Sequence, residues 1–288
     1  MENNQNYEVI IAKSNNEFIE YFKKYLIKYK MEMQLYHLNL TNSDMELEKE
    51  NVRGGVIRDG EVSLIFLNAF PFNLQIKSFD KDINSFDLLA KFIIENDIDI
   101  RGIQGTLDDA KQFINSYNLI KIGDFRFEHT MDIMQLDKLN EVITNPEGRI
   151  EIATMDDFFI VRDYTKKMHL EAMNEETPDE ILDARVKAFI NNKGTYLYYN
   201  KDNIITSIVK ISPTPKGAYR ISLVFTDKPY RNKNYAKEML YLLIKKLSPS
   251  GNIFTLFVDK LNPISNKLYR DLGFYIVEDN IDVRIIKK

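Results

Sequence analysis

The chain contains no cysteine. That excludes structural disulfides and thiolate-ligated metals, and it suits a reducing, cytoplasmic setting. Histidine is scarce: His37, His129 and His169 are the three present, and they are scattered. With so few ligands no metal site is expected. Long apolar runs are missing too. None approaches the ~20 residues needed to span a bilayer. The opening segment MENNQNYEVI has neither the basic nor the apolar part of a secretory signal. An overall positive charge is also absent. The net charge of −4 argues against a general nucleic-acid binder, and nothing points to a membrane partner.

What is present describes a globular protein. The 288 residues are 44% hydrophobic and 28% charged, enough for a sizeable core and for one large or two ordinary domains. The acidic excess lies in residues 1–149, whereas residues 150–288 are mildly cationic. A polyanionic ligand would favour the second half, although ordinary surface variation gives the same asymmetry.

Asn-Pro and Glu-Gly in NEVITNPEGRIEIA (Asn140 to Ala153) mark a boundary between two patterned regions. We therefore expect domains over 1–145 and 146–288. The second opens with the strand GRIEIA, followed by two helices, MDDFFIVRDYTKKMHLEAM and TPDEILDARVKAFINN. A hairpin turning at Lys201-Asp202-Asn203 comes next, and then the strand AYRISLVFT. After a polar loop, a helix over Ala236–Leu247 carries an apolar stripe and stops at SPSG. The strand IFTLFVD, the helix PISNKLYRDL and the strands FYIVE and DVRIIK complete it. The first half has a hairpin turning at Asp59-Gly60 and the strand NLQIKSF. A helix with Ser85 placed to cap it, the strand DIDIRGIQG, the helix TLDDAKQFINSY and two closing strands follow. Both halves imply a mixed α/β sheet, and a duplicated fold.

Two stretches could carry chemistry. The first is the loop YRNKNYA, Tyr230 to Ala236, between a strand and a helix. Helix N-termini present unpaired amides and a positive dipole end, a natural anion site. Glycine usually gives such loops their curl. Asn232 and Asn234 are the next most tolerant of left-handed backbone, and Arg231 and Lys233 add charge. By itself the loop reads better as a solvated turn. The second stretch is LFVDKLNPISNKLYRDLGFY, Leu256 to Tyr275. Asn262 suits a helix cap, Pro263 the first turn and Gly273 the stop. Asn262, Ser265 and Tyr269 recur at i, i+3 and i+7 on one polar face.

Together these stretches resemble the acetyl-CoA-binding core of the GCN5-related N-acetyltransferase (GNAT) family. The family loop Arg/Gln-x-x-Gly-x-Gly/Ala corresponds to Arg231–Ala236, with Asn234 in place of a glycine. Val224, Thr226 and Tyr230 match before it, and the Asn-Pro-x-Ser-Asn-x-x-Tyr-x-x-x-Gly-Phe run after it is intact. The resemblance implies an acyl-CoA N-acyltransferase fold, a catalytic C-terminal copy and a degenerate N-terminal copy, as in tandem members. That copy would wall the substrate cleft or mediate dimerisation, and the chain would be a monomer or homodimer. Acetyl-CoA would be the acyl donor, with no metal. Leu223, Val224 and Phe225 would hold the pantetheine and polarise the thioester. Arg231, Asn232, Lys233, Asn234, Tyr235 and Ala236 would hold the pyrophosphate. Asn262, Ser265 and Asn266 would flank the donor, with Tyr269 as general acid. Glu171 is the candidate base, with His169, Asp259 or a water chain as alternatives. The acceptor would be an amine of a small molecule or peptide. A non-catalytic acyl-CoA-binding or interaction protein of the same fold stays open, as do another acyl-CoA or a hydroxyl acceptor.

Overall fold

The computed structural model describes residues 5–41, 51–69, 72–143, 145–173, 176–214, 217–250 and 252–286. Phe70, Gly251 and Lys287, each at the edge of a feature read from the sequence, and Thr144, within the expected boundary segment, lie outside them. The chain divides into two compact units. The first comprises Met1–Ile133, Val258–Leu261 and Ile276–Lys288; the second comprises Met134–Phe257 and Asn262–Tyr275. The first unit thus ends at Ile133 and takes in two C-terminal segments, and the second begins at Met134.

The element order occurs twice. It begins with β1 (Tyr7–Ile11), α1 (Asn15–Lys28), α2 (Gln34–Leu40), β2 (Val52–Arg58), β3 (Glu61–Asn68) and β4 (Leu74–Ser78). It continues with α3 (Ile83–Glu95), β5 (Gly102–Gly105), α4 (Leu107–Ile120) and β6 (Phe125–Leu136). The repeat opens with β7 (Arg149–Ile152), α5 (Phe158–Met173), α6 (Asp179–Asn191), β8 (Thr195–Tyr199), β9 (Ile205–Thr214) and β10 (Ala218–Thr226). It closes with α7 (Tyr235–Leu247), β11 (Ile253–Asp259), α8 (Pro263–Leu272) and β12 (Tyr275–Ile285). The fold is mixed α/β, as expected.

In the first unit β1 to β4 form an antiparallel run, and β5 joins β4 in parallel. The far end of β12 then adds to β5, with Ile281 opposite Gly105 and Arg284 opposite Gly102. The first hairpin turns where expected: Asp59 and Gly60 have φ of 51° and 85°, the backbone that a tight hairpin turn demands. The chain's last two strands read as FYIVE and DVRIIK are one continuous strand, as are the two read before Leu136. Ser85 is not the cap of α3. Asp82 is, its carboxylate accepting from the Ser85 N–H at 3.0 Å. The cap falls three residues before the position chosen because Ile83 and Asn84 are already helical. Helices α1 and α2 bury Phe18, Phe22, Leu26, Tyr36 and Leu40 on one face of this sheet. Helices α3 and α4 bury Phe86, Leu89, Ile93 and Phe113 on the other. Each such side chain contributes about 1.5–3 kcal/mol of burial.

In the second unit β7, β8, β9 and β10 are antiparallel neighbours, and β11 joins β10 in parallel. Helices α5 and α6 bury Val161, Tyr164, Leu182, Val186 and Ile190 against Leu197, Ile208, Leu223 and Phe225. Helix α7 buries Met239, Leu240, Leu243 and Ile244. Helix α8 starts at Pro263 behind Asn262, whose side chain accepts from the Ser265 N–H at 3.1 Å. It stops at Gly273, which has φ of 106°.

A Cβ at Gly273 would lie 2.8 Å from the Lys138 carbonyl oxygen. Left-handed backbone costs a residue with a side chain about 1–2 kcal/mol, and this contact adds to it. Gly273→Ala should therefore lower the thermal unfolding midpoint by several degrees; a midpoint equal to that of the parent protein contradicts this account of the stop.

Candidate functional site

The site begins with a break in strand pairing. Parallel pairing of β10 with β11 runs from Ala218–Ile253 to Arg220–Thr255 and then ends. On its other edge β10 pairs Ser222 with Lys210 and next Phe225 with Ile208, a bulge at Leu223–Val224. Leu223 has φ of 51°, a strained conformation for a leucine. Bulges bend a strand and sharpen its twist. Past the bulge Val224, Phe225 and Thr226 line a cleft of about 630 Å³, together with the start of α7 and one side of α8.

The loop before α7 supplies the second wall. Asn232 and Asn234 both have φ of 62°, so asparagine adopts the backbone that glycine would take most easily. Asn234 is the residue before the helix, yet its side chain caps no amide. By contrast Ser14, Asp82, Thr106 and Asn262 each accept a backbone N–H in their helices. The first α7 amide known to be bonded within the helix is that of Glu238, to the Asn234 carbonyl. The amides of Tyr235, Ala236 and Lys237 thus stand at the positive end of the helix dipole with no intrahelical partner. All three residues line the cleft. That is an arrangement for an anion.

Helix α8 supplies the third wall through Asn262, Ser265 and Tyr269. Tyr269 is 7% exposed and meets Phe274 edge-on, with ring centroids 5.8 Å apart. Burial pushes its hydroxyl above the ordinary value, so it stays protonated at neutral pH. Lys237 and Lys267 stand on α7 and α8 and share Asp271, at 2.6 and 3.1 Å. The hydrogen bond from Lys237, then that from Lys267, holds the Asp271 carboxyl below its usual range.

Glu171 reaches the cleft from α5. Its carboxylate accepts from Arg231 at 2.6 Å and pairs with Lys228 at 3.5 Å. Burial raises its pKa, but the Arg231 hydrogen bond and the charges of Arg231 and Lys228 outweigh burial, leaving it below the ordinary range. Arg231 also donates from Nε to the Thr226 carbonyl at 2.9 Å and lies over the Phe225 ring. Arg231 thereby ties the loop to β10 and to α5.

Of the residues chosen from the sequence, Val224, Phe225, Arg231, Asn232, Asn234, Tyr235 and Ala236 meet at one cleft, with Asn262, Ser265, Tyr269 and Glu171. Leu223, Lys233 and Asn266 are not among its lining residues. Leu223 is buried against α5 and α6. Lys233 lies over the Tyr230 ring. Asn266 is buried and donates to the Asn262 carbonyl at 2.8 Å. His169 is buried and engages Thr177 at 3.1 Å. Asp259 is exposed, belongs to the first compact unit and accepts from the Leu261 N–H. Sequence reading missed Lys237, Lys267, Asp271 and Met168. The i, i+4 spacing of Lys267 and Asp271 was the available signal; nothing local announced Met168.

The corresponding strand-to-helix turn of the first unit is built differently. There Asp82 itself caps α3, Arg58 pairs with Asp80 and Asp82, and Lys81 pairs with the buried Asp109 at 2.8 Å. The amides meet a carboxylate of their own chain, which disfavours an external anion. Among the described residues no group of His, Asp and Glu could hold a metal ion, and no helix is long and apolar enough to cross a membrane.

The loop geometry is testable apart from function. Asn234 makes no capping bond, so Asn234→Gly should leave the unfolding midpoint unchanged or raise it slightly. Asn234→Val should lower it, by about 1–2 kcal/mol of stability. Equal midpoints for the two variants would contradict a left-handed residue at 234.

Comparison with known proteins agrees with this architecture. No curated protein matches the sequence significantly. The chain resembles an acetyltransferase of the GNAT family from Colwellia psychrerythraea at 12% identity and TM-score 0.58, covering 98% of this chain and 100% of that one. It resembles a GCN5-related N-acetyltransferase from Sphaerobacter thermophilus at 13% identity and TM-score 0.61, covering 100% and 98%. A tandem GNAT protein from the clavulanic acid biosynthesis pathway aligns at 10% identity and TM-score 0.55, covering 98% of each chain. At these identities the likeness is one of fold, and it extends over both halves. The family model described as "Acetyltransferase (GNAT) family" matches residues 159–274. That span holds the bulged strand, the asparagine loop and the Asn262–Tyr269 face, so it is over residues 159–274 that the chain resembles the acetyltransferases of the GNAT family.

Proposed function

We propose that the protein transfers an acetyl group from acetyl-CoA to an amine of a small molecule or peptide, by direct attack while both are bound. One observation carries the reading: an uncapped helix N-terminus, a broken strand pairing and a buried protonated tyrosine line the same cleft. The donor set suits a pyrophosphate, with the amides of Tyr235–Lys237 and the side chains of Arg231, Lys237 and Lys267 nearby. The cleft volume is in the range of small-ligand sites.

In this reading the α7 amides hold the pyrophosphate, and the unpaired backbone at Leu223–Val224 faces the acyl end. Asn262 and Ser265 flank the arm between them. The amine nitrogen bonds to the thioester carbon as the carbon–sulfur bond breaks. Backbone N–H groups at the bulge stabilise charge developing on the carbonyl oxygen. Tyr269 gives its proton to the leaving sulfur. Glu171 is a weak base while Arg231 and Lys228 hold it ionised, and we assign it to anchoring Arg231. The amine's proton then leaves through water. Most of the rate comes from positioning. The first unit is read as a degenerate copy of the same fold, without a donor site of its own.

Acetyl-CoA should raise the thermal midpoint, and free CoA should appear in the presence of an amine acceptor. Tyr269→Phe should lower kcat by about 10²–10⁴-fold with little change in the KM for acetyl-CoA. An unchanged kcat would remove Tyr269 from the chemistry. A midpoint shift without turnover on a broad amine panel would make the protein an acyl-CoA-binding module instead.

A further inference from the structure

On the α6-facing side of the second unit's sheet, β9 and β10 carry a patch that nothing in the donor site uses. Arg220 stands opposite Ser212, and Ser222 opposite Lys210. Side chains two apart on a strand share a face, so all four point the same way, with Arg220 and Lys210 as diagonal neighbours. Every one of the four is a hydrogen-bond donor, and none is a carboxylate. Among the described residues no ion pair or hydrogen bond engages their side chains, and the buried Arg220 Nε has no partner.

Two aromatic rings border the patch. Lys210 Nζ lies 4.0 Å from the centre of Phe189 on α6, and the Arg220 guanidinium lies 5.4 Å from Phe257 on β11. Such contacts are weakly attractive. Removing a cation from water costs more than they return. The aromatic contacts therefore do not offset burial. Arginine cannot escape by losing its proton. Lysine can, and burial, followed by the charges of Arg220 and Arg185, lowers the Lys210 pKa to about 8. The patch is short of one thing, an anion.

Its position names the owner of that anion. Ser222 is two residues before Val224, which stands at the wall of the donor cleft, with the bulge between them. We propose that Arg220 and Lys210, with the Ser212 and Ser222 hydroxyls, bind an oxyanion, carboxylate or phosphate, carried by the acceptor whose amine is acetylated. The proposal rests on the acetyltransferase reading. It narrows the acceptor to an amine with a negative group within a few ångströms of reach, such as a short peptide with a free C-terminus.

Three acceptors test it: glycylglycine, its C-terminal amide and 2-aminoethyl phosphate. We expect kcat/KM for one of the anionic acceptors to exceed that of the amide by about 10–100-fold, the worth of a charge-assisted hydrogen bond. Which anion wins identifies the source. In Arg220→Gln that ratio should fall towards one, through KM rather than kcat. Should Arg220→Gln not fold, Lys210→Met, nearer the surface, takes its place. Calorimetry with N-acetylglycine and N-acetylglycinamide reads the pocket without turnover: the carboxylate should bind to the parent protein and not to the variant. Turnover with no preference for an anion, or a preference that both variants keep, overturns the proposal while the acetyltransferase reading stands. Arg220-dependent carboxylate binding with no acetyl transfer to any amine leaves an anion site and overturns the link to catalysis.

Discussion

The second unit depends on a single backbone event, the bulge at Leu223–Val224. Without it β10 would continue to pair with β11, and the sheet would be closed where the cleft now lies. The bulge costs about 1–3 kcal/mol in a leucine held at positive φ. Packing over-determines it: Leu223 and the neighbouring Phe225 are buried against α5 and α6, so releasing the strain would expose two large side chains. The core thus holds open a gap in the sheet, and two helix N-termini border it. In physical terms the cleft is a defect that the hydrophobic core enforces.

The two N-termini divide the work. At α8 Asn262 satisfies the Ser265 amide, and the helix offers side chains to the cleft. At α7 no side chain caps the helix, and the amides themselves are the offering. Arg231 keeps the loop in place through Thr226 and Glu171, which explains why a loop without glycine can hold its curl. The first unit has the same order of elements but closes the equivalent turn with Asp80, Lys81 and Asp82. Similar folds therefore carry opposite electrostatics at one position, and the difference lies in a few residues.

Much of this was legible because it is local. Asn262, Pro263 and Gly273 punctuate α8, and the i, i+3, i+7 row follows from helix geometry. Asn232 and Asn234 announced the left-handed backbone. Helix α1 was equally readable, with Ser14 and Glu17 before Phe18, Phe22 and Leu26, and was missed. Other features are not local and left no mark. Leu223 gives no hint of a bulge, because nothing in a leucine asks for positive φ. The pairing of β12 with β5 joins residues nearly 180 positions apart in the chain, and no local pattern encodes it. The ion pair of Arg231 with Glu171 joins two helices through a loop, and it changes what Glu171 can do chemically.

The central claim is that an anionic acyl donor occupies the space between β10, α7 and α8. A crystal structure with coenzyme A bound tests it most directly. The account predicts pyrophosphate oxygens within hydrogen-bonding distance of the Tyr235, Ala236 and Lys237 amides, with the sulfur towards Tyr269. Coenzyme A seated elsewhere, or a cleft left empty at saturating ligand, would contradict it.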